Sequence, residues 1–123
     1  MAAGHKTAAR EETMPHFMYE WSFTAAQAKA LVENPQDREA PARQVVEAFG
    51  GRLLCYYFML GKRDGMLVAE FPDTESAAAC SMRVASSGAF TAFRTHALMT
   101  SAEAQRSMQK VKAASFAYHP PAG

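Results

Sequence analysis

The chain has 123 residues, 49% of them hydrophobic and 20% charged, with a formal net charge of +1. That length suits one domain with a modest core, and the near-neutral balance gives no electrostatic reason to expect nucleic acid or an anionic membrane as a partner. No apolar run approaches the ~18 residues a membrane span needs, which excludes a helical membrane protein. The two cysteines, Cys55 and Cys80, form no CxxC pattern, and "MAAGHKTAAREET" lacks a signal-peptide core. The expectation is a cytoplasmic protein whose thiols are reduced, small and buried.

Residues 1–13 are rich in Ala and charge without periodicity and read as a disordered leader or added extension, leaving 14–123 as the domain. "HFMYEW" (16–21) alternates and is aromatic, the pattern of a strand. Thr24 with Gln27 caps a helix that Asn34-Pro35 halts. Ala42, Val45, Val46 and Phe49 recur at helical spacing in a second helical piece, with Pro41 in its first turn and Gly50-Gly51 after its end. "RLLCYYFML" (52–60) reads as a strand buried on both faces, and "GKRDG" as a hairpin connection to "MLVAEF" (66–71). Pro72-Asp73 stops that strand and caps an Ala-rich helix over 74–86, closed by Ser87-Gly88. "AFTAFRTHAL" (89–98) is a fourth strand, and Thr100 with Glu103 opens a last helix with Ala104, Met108 and Val111 on one face. The tail "SFAYHPPAG" cannot form a core alone and is expected to lie across the domain or a neighbouring subunit.

The order β-α-α-β-β-α-β-α specifies an α+β, ferredoxin-like β-α-β-β-α-β sandwich with an extra C-terminal helix and an extended tail. Its antiparallel four-stranded sheet takes the order 4-1-3-2, with helices on one face. The other face carries apolar residues too, and a second copy of the chain is the economical cover. A homodimer, closed as a dimeric α+β barrel, is therefore expected.

From Met14 onward the chain resembles the GYD domain family, small dimeric α+β barrel proteins of no established general function. The resemblance rests on "MPHFMYEWSFT", "GGRLLCYYFMLGKRDG", "EFPDTESAAA" and "SSGAFTAFRTHALMTSAE", an ordered series of Gly-Gly, strand, Gly-x-x-Asp, strand and Pro-Asp. The closing "YHPPAG" resembles the tail of longer members. Two departures stand out. Arg63 occupies the place of the signature tyrosine before Asp64, and "NPQDREAP" stretches the first helical region. The resemblance implies fold and assembly rather than chemistry.

Strand parity then sorts the side chains. Leu67, Ala69 and Phe71 suit the helix side, which leaves Met66, Val68 and Glu70 on the opposite face. Carried to the other strands, the same parity adds Met18, Glu20, Tyr56, Phe58, Arg94 and His96. A β-bulge would invert this assignment beyond its position. Glu20, Glu70, Arg94 and His96 are thus expected together on an apolar surface. They can serve as an intersubunit salt-bridge network, or as the polar groups of a small-molecule site walled by Met18, Tyr56, Phe58, Met66 and Val68.

The leading functional reading is a homo-oligomeric domain that binds a small, largely apolar molecule at this face. The alternatives are a cofactor-free isomerase or oxygenase, with His96 as acid/base beside Glu70 and Arg94, and a purely structural assembly module. His16, Glu20, Glu70 and His96 supply metal-ligand types without HxxxH or HxH spacing, so neither metal nor cofactor is expected. Cys80 reads as helix packing, Trp21 as a cavity lid or edge residue, and Lys62 and Arg63 as a solvated turn.

Overall fold

Capping chemistry places the element ends. In the computed structural model, which describes residues 14–122, the Thr24 hydroxyl accepts from the Gln27 amide at 3.1 Å. Asp73 accepts from the Ser76 amide at 2.7 Å, and Thr100 and Glu103 cap each other's backbone at 3.1 Å. Gly50, at φ +80°, turns the chain out of a helix in the left-handed region that other residues avoid. The resulting order is β1 (His16–Phe23), α1 (Ala25–Glu33), α2 (Glu39–Ala48), β2 (Arg52–Phe58), β3 (Gly65–Glu70), α3 (Thr74–Ala85), β4 (Phe90–Leu98) and α4 (Ser101–Ala113). The expectation for residues 1–13 lies outside the described residues.

The strands form one antiparallel sheet in the order β2-β3-β1-β4, the ferredoxin-like arrangement expected from the sequence. The core is the layer between the helices and one sheet face. Phe17, Tyr19 and Trp21 of β1 point into it, with Leu67 and Ala69 of β3 and Phe71 just beyond. Val46 of α2 and Ala77 and Cys80 of α3 close over them. Each large apolar side chain buried here contributes about 1.5–3 kcal/mol. The Tyr19 hydroxyl donates to the carbonyl of Ala77, so β1 and α3 are joined by a buried polar contact as well as by packing. Trp21 rests flat on Gly65, where a Cβ would meet the indole at 2.5–2.7 Å, so a side chain at 65 and the indole compete for the same space.

Strand β2 departs from expectation in two ways. It is an edge strand and is not buried on both faces: Leu53 is its one buried residue, while Leu54, Tyr57 and Phe58 are exposed. It also carries a bulge. Leu53 pairs with Ala69 and Cys55 with Val68, which leaves Leu54 as the extra residue. Beyond Leu54 the parity inverts. Tyr56 and Phe58, expected on the open face, turn to the helix side, where Tyr56 meets Trp21 and Phe58 meets Phe23. Cys55 and Tyr57 take the open face instead.

Helix α4 buries none of its residues, and Met108 and Val111 remain exposed. Phe116 and Tyr118 are 84% and 76% exposed, so the tail does not lie across its own domain.

Candidate functional site

The open face is assembled from the hairpin outward. Asp64 anchors the β2–β3 connection to the end of β1. Its carboxylate accepts from the Phe23 amide at 2.8 Å, its amide donates to the Trp21 carbonyl, and its carbonyl accepts from the Met59 amide. This staple holds the neighbouring Arg63 over the sheet. Its guanidinium Nε lies 3.5 Å from Glu20, and its side chain is 19% exposed, so Arg63 belongs to the open face and is no solvated turn residue. His96 Nε2 approaches the same Glu20 oxygen at 3.5 Å. Arg94, directly opposite Glu20 in the β1–β4 register, is an exposed cation beside this group.

Glu70 belongs to a different cluster. It faces His16 on one neighbouring strand and Arg52 on the other. Arg52 Nε pairs with Glu70 Oε1 at 3.1 Å, and His16 Nε2 stands 3.9 Å from Oε2. An acid therefore sits in an apolar strand because two cross-strand bases flank it. The Glu70 side chain is 3% exposed, against 50% for Arg52. Burial of an ion is tolerable only when its lone pairs are satisfied. Glu70 Oε2 and His16 Nδ1 nevertheless find no hydrogen-bond partner among the described residues.

The single group expected from strand parity is thus two. Glu20 pairs in register with Met66 and Glu70 with His16, so the acids stand four residues apart along the sheet, about 13 Å at ~3.3 Å per residue. Met18, Met66 and Val68, half-buried, fill the strip between them. Of the expected site residues, Met18, Glu20, Met66, Val68, Glu70, Arg94 and His96 share this face. Tyr56 and Phe58 do not. Arg63 and Arg52 were missed, and His16 entered only as a metal-ligand type beside Glu70. The position of Arg63 in place of the family's tyrosine was the available signal for the first.

Chemically, the hairpin-side cluster gathers an imidazole, His96, and a guanidinium, Arg63, around one carboxylate, Glu20. The opposite cluster offers an acceptor, Oε2, that lacks a donor. No group of three or more His, Cys, Asp or Glu among the described residues is placed to hold a metal ion. Both cysteines are free: Cys55 is half-buried rather than buried, and burial raises the Cys80 thiol above its ordinary range. Burial likewise raises the phenols of Tyr19 and Tyr56, for Tyr56 against the opposing charge of Arg38. Both phenols stay protonated at neutral pH.

The far side of the sheet holds a cavity of about 410 Å³ between the helices and the aromatic residues of β1 and β4. No helix among the described residues is long and apolar enough to cross a membrane.

The protein MtbAldR is similar in fold, at 15% identity and TM-score 0.48, over 71% of this chain and 54% of that one. An AsnC family transcriptional regulator from Agrobacterium tumefaciens is similar at 13% identity and TM-score 0.46, over 75% of this chain and 54% of that one. An uncharacterized NIPSNAP-like domain protein from Burkholderia xenovorans is similar at 12% identity and TM-score 0.47, over 89% of this chain and 93% of that one. The chain spans about half the length of the first two. No curated protein sequence matches it. The GYD domain matches residues 17–108, which include all four strands and both ionic clusters apart from His16. With that match over more than half its length, the chain belongs to the GYD domain family.

Proposed function

We propose that the chain works as a homodimer in which the open sheet faces of two copies close on each other, with a small, largely apolar molecule held between them. The observation that carries this reading is the state of Glu70. Its carboxylate is buried, yet Oε2 has no hydrogen-bond donor among the described residues. Its Arg52 partner is still half-exposed, and closure of a second copy over this end would take the pair out of water and strengthen it.

The surface around it suits a second copy. A half-buried strip of Met18, Met66 and Val68 runs between two ionic ends, each carrying an acid and bases. A two-fold axis can set acids of one copy against bases of the other, the self-complementary pattern of isologous contacts. Helix α4 adds reach. Its 13 residues span about 20 Å, and its uncovered Met108 and Val111 lead into the exposed Phe116 and Tyr118. In a dimer these side chains have a surface to cover.

Native mass spectrometry of gently purified protein tests the reading. A mass of twice the chain with a reproducible small adduct supports both parts, and a bare dimer supports assembly alone. A bare monomer contradicts it.

A second reading rests on the 3.5 Å approach of His96 to Glu20. That pair can pass a proton to or from a molecule held at the same face, as a cofactor-free enzyme would. Conversion of the co-purified molecule by the wild type, abolished in His96→Ala with binding retained, would favour it.

A further inference from the structure

The cavity on the helix side of the sheet stands apart from the dimer face. It opens beside helix α1, which adds Gln27 and Leu31 to its lining. Helix α1 buries none of its residues, and wide aromatic rings rise from β1 and β4 beneath it. Close-packed interiors leave few voids larger than a water molecule. A cavity of about 410 Å³ falls within the ~300–1,000 Å³ typical of small-molecule sites.

Its walls are directional. Trp21 and Phe93 lie nearly parallel, at 13° with centroids 6.1 Å apart, and Phe90 meets Phe93 edge-on at 5.3 Å. Tyr56 joins the set at 5.5 Å from Trp21. Such rings present flat faces and positive edges, which select planar aromatic partners over flexible aliphatic ones.

One end of the cavity is polar. Arg38 is the single charged side chain among the described lining residues, and its charge is felt at the Tyr56 phenol. The acids on either side of Arg38 reach Tyr56 as well and oppose its effect there, but each has a partner of its own. Asp37 accepts from the Glu39 amide at 2.9 Å, and Glu39 pairs with Arg43 at 3.1 Å. Arg38 donates Nη1 to Gln36 at 2.8 Å. A guanidinium carries five N–H donors, enough to serve that contact and an anion together. The protonated Tyr56 hydroxyl adds a further donor.

We propose that this cavity binds a planar aromatic molecule bearing one carboxylate, its rings among Trp21, Phe90 and Phe93 and its anionic group at Arg38 and Tyr56. The site lies within one protomer and does not depend on the dimer.

Isothermal calorimetry of the full chain with 2-naphthoate tests it, with the neutral 2-naphthylmethanol as comparator. One naphthoate is expected to bind per chain. Arg38→Gln should weaken naphthoate roughly tenfold or more, the scale of a lost charge-assisted hydrogen bond, and leave the alcohol unchanged. Val84→Phe, which adds a ring at the helix wall of the cavity, should abolish binding of both. Ala42→Phe, on another wall, takes its place if circular dichroism shows Val84→Phe unfolded. No binding to folded wild type up to the solubility limit overturns the proposal. So does naphthoate binding that survives a folded cavity-filling variant, or an affinity that Arg38→Gln leaves unchanged.

Discussion

Replacing Gly65 by Ala inserts a methyl group where the Trp21 indole lies. The new Cβ would stand 2.5 Å from Cζ2 and 2.7 Å from Nε1, about 1 Å inside the ~3.5–4.0 Å of ordinary carbon contact. Gly65 is not among the glycines at positive φ, so the substitution carries no left-handed backbone strain and its effect is steric. Trp21 is 4% exposed and packed against Tyr56 and Phe93, so relief requires the indole to swing toward the helix-side cavity. Overpacking of this kind costs about 1–3 kcal/mol, and the reduced freedom of the unfolded chain offsets about 0.5 kcal/mol. A net loss of about 1.5 kcal/mol lowers Tm by roughly 6 °C at about 4 °C per kcal/mol for a chain of this size. Trp21 is the single tryptophan, so its emission reports the displacement directly. Thermal scans and emission spectra of Gly65→Ala against wild type decide the matter. A variant with the wild-type Tm and the wild-type spectrum would refute the packing described for this pair.

Asp64→Ala removes the acceptor for the Phe23 amide, with an expected loss of about 1–2 kcal/mol in urea unfolding, while Asp64→Asn, which keeps an acceptor, should lose less. Glu70→Gln neutralises the buried partner of Arg52. Because Arg52 is half-exposed and solvent-screened, the expected loss is about 1–2 kcal/mol rather than that of a fully buried pair, again read from urea midpoints. Asp73 and Glu103 are held below their ordinary values of 3.8 and 4.5, chiefly by hydrogen bonds from the Ser76 and Thr100 backbones. Their folded forms bind protons less readily than their unfolded forms, so their capping stabilisation is complete above the ordinary carboxylate range and is lost as pH falls through the lowered values. Tm measured from pH 7 to pH 3 should fall toward the acid end, and less steeply in the double variant Asp73→Asn, Glu103→Gln.

Element boundaries were legible because local chemistry sets them. Thr24, Asp73 and Thr100 each satisfy an otherwise orphaned helix amide, and Gly50 supplies a left-handed turn. The sheet order followed from the pattern of elements, and parity assigned β1, β3 and β4 correctly because no bulge interrupts their site residues. The bulge at Leu54 was not legible: one unpaired residue in an apolar strand leaves the alternation looking intact while exchanging Tyr56 and Phe58 for Cys55 and Tyr57. Parity also says which face a residue takes but not how far along the sheet it stands. Glu20 and Glu70 therefore looked like one site and form two. The helix-side cavity is lined by residues of all four strands and of α1, α2 and α3, far apart in the chain, so no local stretch of sequence signals it.

Whether the open sheet face is an interface between two copies, as proposed above, is decided by sedimentation equilibrium of wild type and Val68→Arg. Val68 lies in the middle of β3 on the open face, half-buried and clear of the helix-side core, so the arginine should leave the protomer's circular dichroism unchanged. Wild type is expected at twice the chain mass and Val68→Arg at the mass of one chain. A wild type that sediments as a single chain at high protein concentration, or a folded Val68→Arg that remains a dimer, would contradict it.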